Sequence, residues 1–202
     1  MDIRGSRAKA SRALGRKVDQ KIEDKDPLTR RGAIRRRAKK KSDYGLHLTE
    51  VQVCRMTYGI FERQFRNYFK KAKARSGNTA EELLVLLERR FDNAIYRSGL
   101  ASTRRQARQL VVHRHFWING RPVDRPSYLL RPGDVFEVKP TKGAKPFYKD
   151  IMEELVDPRE GYWIQRSGKE TLKYSVQRFP LASEAEQNFD AAYIVEYYSK
   201  FV

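Results

Sequence analysis

The dipeptide Asn119-Gly120, held between Phe116-Trp117-Ile118 and Arg121-Pro122-Val123, leaves the chain little local choice. Two residues that tolerate positive φ, flanked by runs of strand-forming side chains, predict a tight two-residue hairpin. The surroundings extend the constraint. Upstream, Phe91, Ala94 and Ile95 line one face of a short helix that Gly99 ends, and Ala107, Leu110 and Val111 do the same for a second. Downstream, Pro132-Gly133-Asp134 turns the chain into Val135-Phe136-Glu137-Val138, with the alternation of a half-buried strand. Residues 89–139 therefore predict a small α+β module of two helices, a hairpin and a further strand.

The second of these helices carries the clearest chemical signal. Ser102 or Thr103 caps it, and Gln106 completes a capping box if Thr103 is the cap. With its apolar residues turned inward, Arg104, Arg105, Arg108 and Gln109 face outward. Cations in the first turns of a helix oppose its dipole, while unpaired backbone N–H groups there favour an anion. The arrangement makes sense if a phosphate arrives to meet both.

The charge of the whole chain agrees. Its net value is +18, and it is unevenly spread: residues 1–43 hold 16 Lys/Arg against 6 Asp/Glu, and residues 44–149 hold 21 against 9. Residues 150–202 reverse the balance, with 6 against 10. Such a distribution points to a polyanionic partner for the first three quarters.

Residues 1–43 have few large apolar side chains, too few to close a core, and predict a largely extended basic arm, either a solvated tail or localisation signal or an arm that orders against phosphate. Its densest charge is Arg35, Arg36, Arg37, Lys39, Lys40 and Lys41. After Tyr58 the spacing becomes helical. Phe61, Phe65, Tyr68, Phe69 and Ala72 share a core face, while Arg63, Arg66, Lys70 and Lys73 repeat on another. Thr79 with Glu82 reads as a capping box for the next helix, whose buried side is Leu83, Leu84, Leu86 and Leu87. Arg89 and Arg90 follow near its end, where cations suit both the helix dipole and an external phosphate. Residues 140–149 read as a flexible basic loop. Strands follow around Tyr162-Trp163-Ile164 and Leu172–Val176, and Asp190–Tyr198 is an amphipathic last helix.

Several functions find no support. The single Cys54 rules out an internal disulfide framework and a multi-cysteine zinc site. No apolar run has the length of a membrane span, so no membrane partner is expected. His47, His113 and His115 show no metal-ligand spacing with carboxylates, and no glycine-rich phosphate loop is present. An RNA-modifying enzyme or tRNA synthetase would need a separate catalytic domain. A DNA-binding regulator would show a half-site helix or dimer heptads.

Five ordered segments carry a resemblance: YGLHL (44–48), ERQFRNYFKKA (62–72), LLERRFDNAIYRSGLASTRRQARQLVVH (86–113), NGRPVDRPSYLLRPGDV (119–135) and IVEYYSK (194–200). The sequence resembles the S four family of small-subunit ribosomal proteins, of bacterial or organellar type. The resemblance implies a non-catalytic structural protein that is a primary binder of small-subunit rRNA and starts assembly of its part of the subunit. It implies ribosomal proteins S three and S five as neighbours, and messenger RNA near the entry path, where decoding accuracy is influenced. It implies a cytoplasmic ribosome, with an organellar one also compatible, and no homo-oligomer.

The implied organisation is α+β. A basic arm (1–43) precedes a helical domain formed by residues 44–88 and the last helix (189–202). Between them sits an inserted α+β RNA-binding domain (89–188), whose core is 89–139. On matching positions the implied RNA contacts are Tyr44, Arg63, Arg66, Arg89, Arg90, Arg97, Ser102, Arg104, Arg105, Arg108 and Gln109, with Lys139 a further carry-over; Lys70 and the arm's cations join them on charge and spacing. Three departures stand out. The arm lacks the cysteines with which some relatives bind zinc, so neither metal nor other cofactor is expected. Val51, Val53, Cys54 and Met56 replace a lysine-rich pattern, which implies burial or a different protein neighbour. Arg114 stands where glycine is usual, so a different helix cap is expected.

Overall fold

In the computed structural model, which describes residues 7–16, 18, 42–143, 145–154, 161–168 and 171–201, the chain forms two units. One joins residues 1–84 to 185–202; the other is 85–184. The helices are α1 (Arg7–Leu14), α2 (Asp43–Tyr58), α3 (Glu62–Lys73), α4 (Thr79–Glu88), α5 (Phe91–Arg97), α6 (Arg104–Val112), α7 (Pro140–Gly143), α8 (Pro146–Glu154) and α9 (Ala191–Ser199). The strands are β1 (Phe116–Ile118), β2 (Arg121–Val123), β3 (Val135–Val138), β4 (Ile164–Arg166) and β5 (Lys173–Val176). The expected architecture holds: a helical part drawn from both ends of the chain, and an inserted α+β part with antiparallel strands.

In the first unit, α2 starts at Ser42, whose side chain accepts from the Gly45 N–H, and stops at Gly59, which takes the left-handed conformation at φ 65°. That glycine lets Gly59 N–H and Ile60 N–H reach the Met56 and Arg55 carbonyls, which closes the helix end. Val51, Val53, Cys54 and Met56 are buried, so the departure from a lysine-rich pattern is a core substitution. α9 packs along α2. Tyr198 reaches the aromatic face of α3, with ring centroids 5.6 Å from Phe65 and 5.2 Å from Phe69. Its hydroxyl donates to Glu62 Oε1 at 2.7 Å. Glu50 ties the chain ends together, accepting from Arg16 at 2.7 Å and from the Asp190 N–H at 3.0 Å.

Two expectations change here. Part of the arm is helical: α1 buries Ala10 and Leu14, with Val18 beyond it, so small and scattered apolar residues are enough for two turns. The cap of α4 is Asn78, not Thr79. Asn78 Oδ1 accepts from Ala80 N–H at 3.0 Å, and Glu82 pairs with Arg75 at 2.7 Å instead of closing a box.

In the second unit the sheet order is β2-β1-β3-β5-β4, and every pairing is antiparallel. Asn119 and Gly120 have φ of 49° and 74°, as the predicted hairpin requires. Asn119 also holds the neighbouring turn: its side chain donates to Asp134 at 2.9 Å and accepts from the Val135 N–H at 2.9 Å. The core face of the sheet presents Phe116, Ile118, Phe136, Val138, Tyr174 and Val176 to α5 and α6 residues such as Phe91, Ala94, Ala107 and Val111. Phe136 stacks on Tyr174 at 5.3 Å. Tyr174 in turn donates to the Ser98 carbonyl at 3.1 Å.

The expected loop at 140–149 is instead largely helical, as α7 and the start of α8. Pro140 and Pro146 each occupy a helix start, where a missing N–H costs nothing, and buried Tyr148 anchors α8.

Candidate nucleic-acid interface

The expected contact residues fall into three groups by position. Arg35, Arg36, Arg37, Lys39, Lys40 and Lys41 lie outside the described residues. In the helical unit, Arg63, Arg66 and Lys70 stand exposed along α3, opposite buried Phe65, Tyr68, Phe69 and Ala72. Tyr44 is exposed in the first turn of α2, its ring 5.7 Å from that of Tyr197 and the two hydroxyls 3.4 Å apart. The hydrogen bond to Tyr44, with burial adding to it, pushes the Tyr197 phenol up to about 12.

The third group lies in the α+β unit and divides again. Arg89, Arg90 and Arg97 are turned inward. Arg89 Nε donates to the Leu130 carbonyl at 2.9 Å, and its guanidinium lies 4.4 Å over the Phe179 ring. Arg90 is 1% exposed and grips Asp92 with two bonds, 3.0 Å and 2.6 Å. Arg97 grips Glu88 with two bonds of 3.0 Å and reaches the Glu184 carbonyl at 3.2 Å. The reason is the pair of carboxylates, Glu88 and Asp92, at the α4–α5 junction. Both are buried, and a buried carboxylate requires a cation and donors beside it.

α6 carries the outward group. Thr103 is the cap, accepting from the Gln106 N–H at 3.1 Å, while Gln106 Oε1 reaches back to the Ser102 N–H and hydroxyl at 2.9 and 2.7 Å. Arg105 and Gln109 are exposed, and the helix has no acid in its first turn. Arg108 lies 3.8 Å from Asp92. Arg104 is held on two sides: its Nε donates to Asn93 Oδ1 at 2.7 Å and its guanidinium lies 4.3 Å over the Tyr96 ring. Asn93 is itself fixed by donating to Glu88 Oε2 at 2.8 Å. The Asn93–Tyr96 clamp lies beyond what the sequence reading reached. A buried asparagine in FDNAIYR, a helix-interior polar residue on the core side, is the signal that could have found it. Lys139 is half-buried just past β3, where its N–H donates to the His115 carbonyl at 2.8 Å.

The α6 terminus keeps the usual cap despite Arg114. Arg114 N–H donates to Val111 O at 2.9 Å and His115 N–H to Leu110 O at 3.1 Å. This is the two-bond pattern of a Schellman motif, with arginine at φ 56° in place of glycine. Among the described residues, no three His, Cys, Asp or Glu side chains are grouped to hold a metal ion. No helix among them is long and apolar enough to cross a membrane.

Comparison with known proteins matches this layout. Residues 3–88 match the family described as Ribosomal protein S4/S9 N-terminal domain, and residues 89–136 match the S4 domain. The small ribosomal subunit protein uS4 of Chloroflexus aurantiacus is 41% identical over 203 residues, covering 97% of this chain and 98% of that protein. Its counterpart in Aquifex aeolicus is 46% identical over 168 residues, covering 81% and 79%. That of Pelotomaculum thermopropionicum is 44% identical over 162 residues, covering 80% and 77%. With identity of this level along most of both chains, the protein belongs to the uS4 family of small ribosomal subunit proteins.

Proposed function

We propose that the chain is a structural constituent of the small ribosomal subunit that binds small-subunit rRNA and nucleates assembly around itself, without catalysis. The observation that carries this reading is the correspondence with small-subunit proteins along almost the whole length of both chains. The geometry supports it: two exposed cationic helix faces, on α3 and on α6, each back onto an apolar face that anchors the helix. Guanidinium and ammonium groups of this kind read RNA backbone and shape more than base identity.

In this reading Tyr44, Arg63, Arg66, Lys70, Ser102, Arg105, Arg108 and Gln109 meet RNA directly, and the cations of the 1–43 arm add to them. Arg104 contributes from its clamp, while Arg89, Arg90 and Arg97 hold the interface from inside. The protein acts as a single copy, beside ribosomal proteins S three and S five, near the messenger RNA entry path, where it influences decoding accuracy.

Replacing Arg104, Arg105 and Arg108 together by Ala weakens binding to a small-subunit rRNA transcript. The slope of log affinity against log salt falls by about 0.7–0.9 for each phosphate that the variant no longer neutralises. An unchanged slope in filter-binding titrations would refute the α6 assignment. On a sucrose gradient of cell extract, the chain co-migrates with small subunits and intact ribosomes; a peak among soluble enzymes would refute the structural role.

A further inference from the structure

The basic segment beyond β3 lies outside the residues matched to the S4 domain, and its lysines are arranged rather than scattered. Lys142 N–H donates to the Lys139 carbonyl at 2.8 Å, and Lys145 N–H to the Lys142 carbonyl at 3.1 Å. Successive bonds of this kind keep the three lysines within one tightly turned stretch around α7. Tyr148 follows at the next step, its N–H on the Lys145 carbonyl at 3.0 Å. Its hydroxyl meets His115 Nδ1 at 2.8 Å, which fastens the segment to the end of α6. Lys139 is fastened to the same residue through the His115 carbonyl.

We infer that Lys139, Lys142, Lys145 and His115 form a second RNA-backbone site, which takes a phosphodiester of the RNA proposed above to be bound. Among the described residues no carboxylate pairs with any of the three lysines. Like charges held together on a fixed scaffold, without an acid, repel one another until an anion enters. The half-buried imidazole registers the charge of two of them, Lys142 and Lys145. Burial, then Lys142, Lys145 and His113, hold His115 below the usual histidine range, and among the described residues no carboxylate counters them. Burial also pushes the Tyr148 phenol well up, so it stays a neutral hydrogen-bonding partner throughout. An arriving phosphate cancels the ammonium charges and favours the imidazolium. RNA binding therefore takes up a proton at His115, and affinity rises as pH falls through that titration.

The inference rests on the rRNA-binding reading, and His115 separates the two. C2-hydrogen exchange read by mass spectrometry gives a titration midpoint for each of His47, His113 and His115, with and without a small-subunit rRNA transcript. We expect the His115 midpoint to rise when RNA binds. In K142Q/K145Q it is already raised without RNA, shows little further rise, and the salt slope of binding falls by about 0.7–0.9 for each phosphate left without its lysine. Lys145 is exposed and Lys142 half-buried, and neither belongs to the core. RNA that binds with no movement of His115, or with the full slope in K142Q/K145Q, overturns this site and leaves the α6 and α3 contacts standing. A rise produced equally by inorganic phosphate at matched concentration, and not increased by RNA, overturns the RNA contact in favour of a free anion. No binding of the transcript at all overturns the underlying reading as well.

Discussion

Arginine is put to opposite uses in the two units. On α3, Arg63 and Arg66 stand outside an aromatic face, and the nearest acid on the helix, Glu62, is 3.8 Å from Arg66 and already engaged by Arg55 and Tyr198. In the α+β unit, Arg90 and Arg97 point inward because Glu88 and Asp92 are inside. The position of the acids decides which role an arginine takes. A carboxylate that enters a core carries its cation with it, because alone it would be a charge without solvation. Runs such as LLERRFDNAIYR therefore combine interior and exterior cations that look alike in sequence.

That contrast predicts its largest effect at Arg90. Arg90→Ala leaves the Asp92 carboxylate in the interior with the Asn93 N–H at 3.0 Å and, on its exposed side, Arg108 at 3.8 Å. Breaking a buried pair in this way costs about 3–5 kcal/mol. Urea unfolding followed by circular dichroism should show that loss. A loss below about 1 kcal/mol, the range of an exposed pair, would mean that Arg90 is an outward residue after all.

Tyr198→Phe probes the helical unit with a smaller change. It keeps the ring against Phe65 and Phe69 and removes the hydrogen bond to Glu62, which retains Arg55 at 2.8 Å. The expected cost is about 1 kcal/mol, measured as a shift of the urea midpoint at constant slope.

Much of this is legible in the sequence, and the residues that are not share a cause. The Asn119-Gly120 hairpin, the aromatic face of α3 (except Phe61, which stands exposed at the cap), and the outward Arg105 and Gln109 follow from local rules of φ preference and periodicity. Asn78 capping α4, and the helices in place of a loop at 140–149, are also local. There the Thr79-Glu82 spacing and the density of lysines mask the better signals, an asparagine one residue earlier and a proline at each helix start. The inward turn of Arg89, Arg90 and Arg97 is different in kind. Glu88 and Asp92, which hold Arg97 and Arg90, lie in the same run, but their burial is set by the fold. Arg89 and Arg97 also rest on Leu130, Phe179 and Glu184, tens of residues away, which no window around the arginines contains.

Arg114 shows a third use of the residue, at a position where the backbone disfavours it. Its φ of 56° is one that an L side chain adopts at a cost of about 1–2 kcal/mol, and the pair with Asp124 at 2.8 Å is too exposed to return much of that. Arg114→Gly should stabilise the α+β unit by about 0.5 kcal/mol, after the higher entropy of glycine in the unfolded chain is counted. Thermal unfolding would detect it as a small upward shift of Tm.

The α3 face should give the smallest stability change and complete the contrast with Arg90. Arg63, Arg66 and Lys70 are exposed, and replacing all three by Gln disturbs no buried packing. Surface substitutions of this sort stay within about 0.5 kcal/mol each, so the urea midpoint should hardly move. The salt slope for binding a small-subunit rRNA transcript should nevertheless fall, by about 0.7–0.9 for each of the three that meets a phosphate. Arg90→Ala, assayed below its unfolding transition, should do the reverse and keep the slope while losing stability. If both variants changed stability alike, or if the α3 variant kept the full slope, then burial would not be what separates holding cations from RNA-meeting ones in this protein.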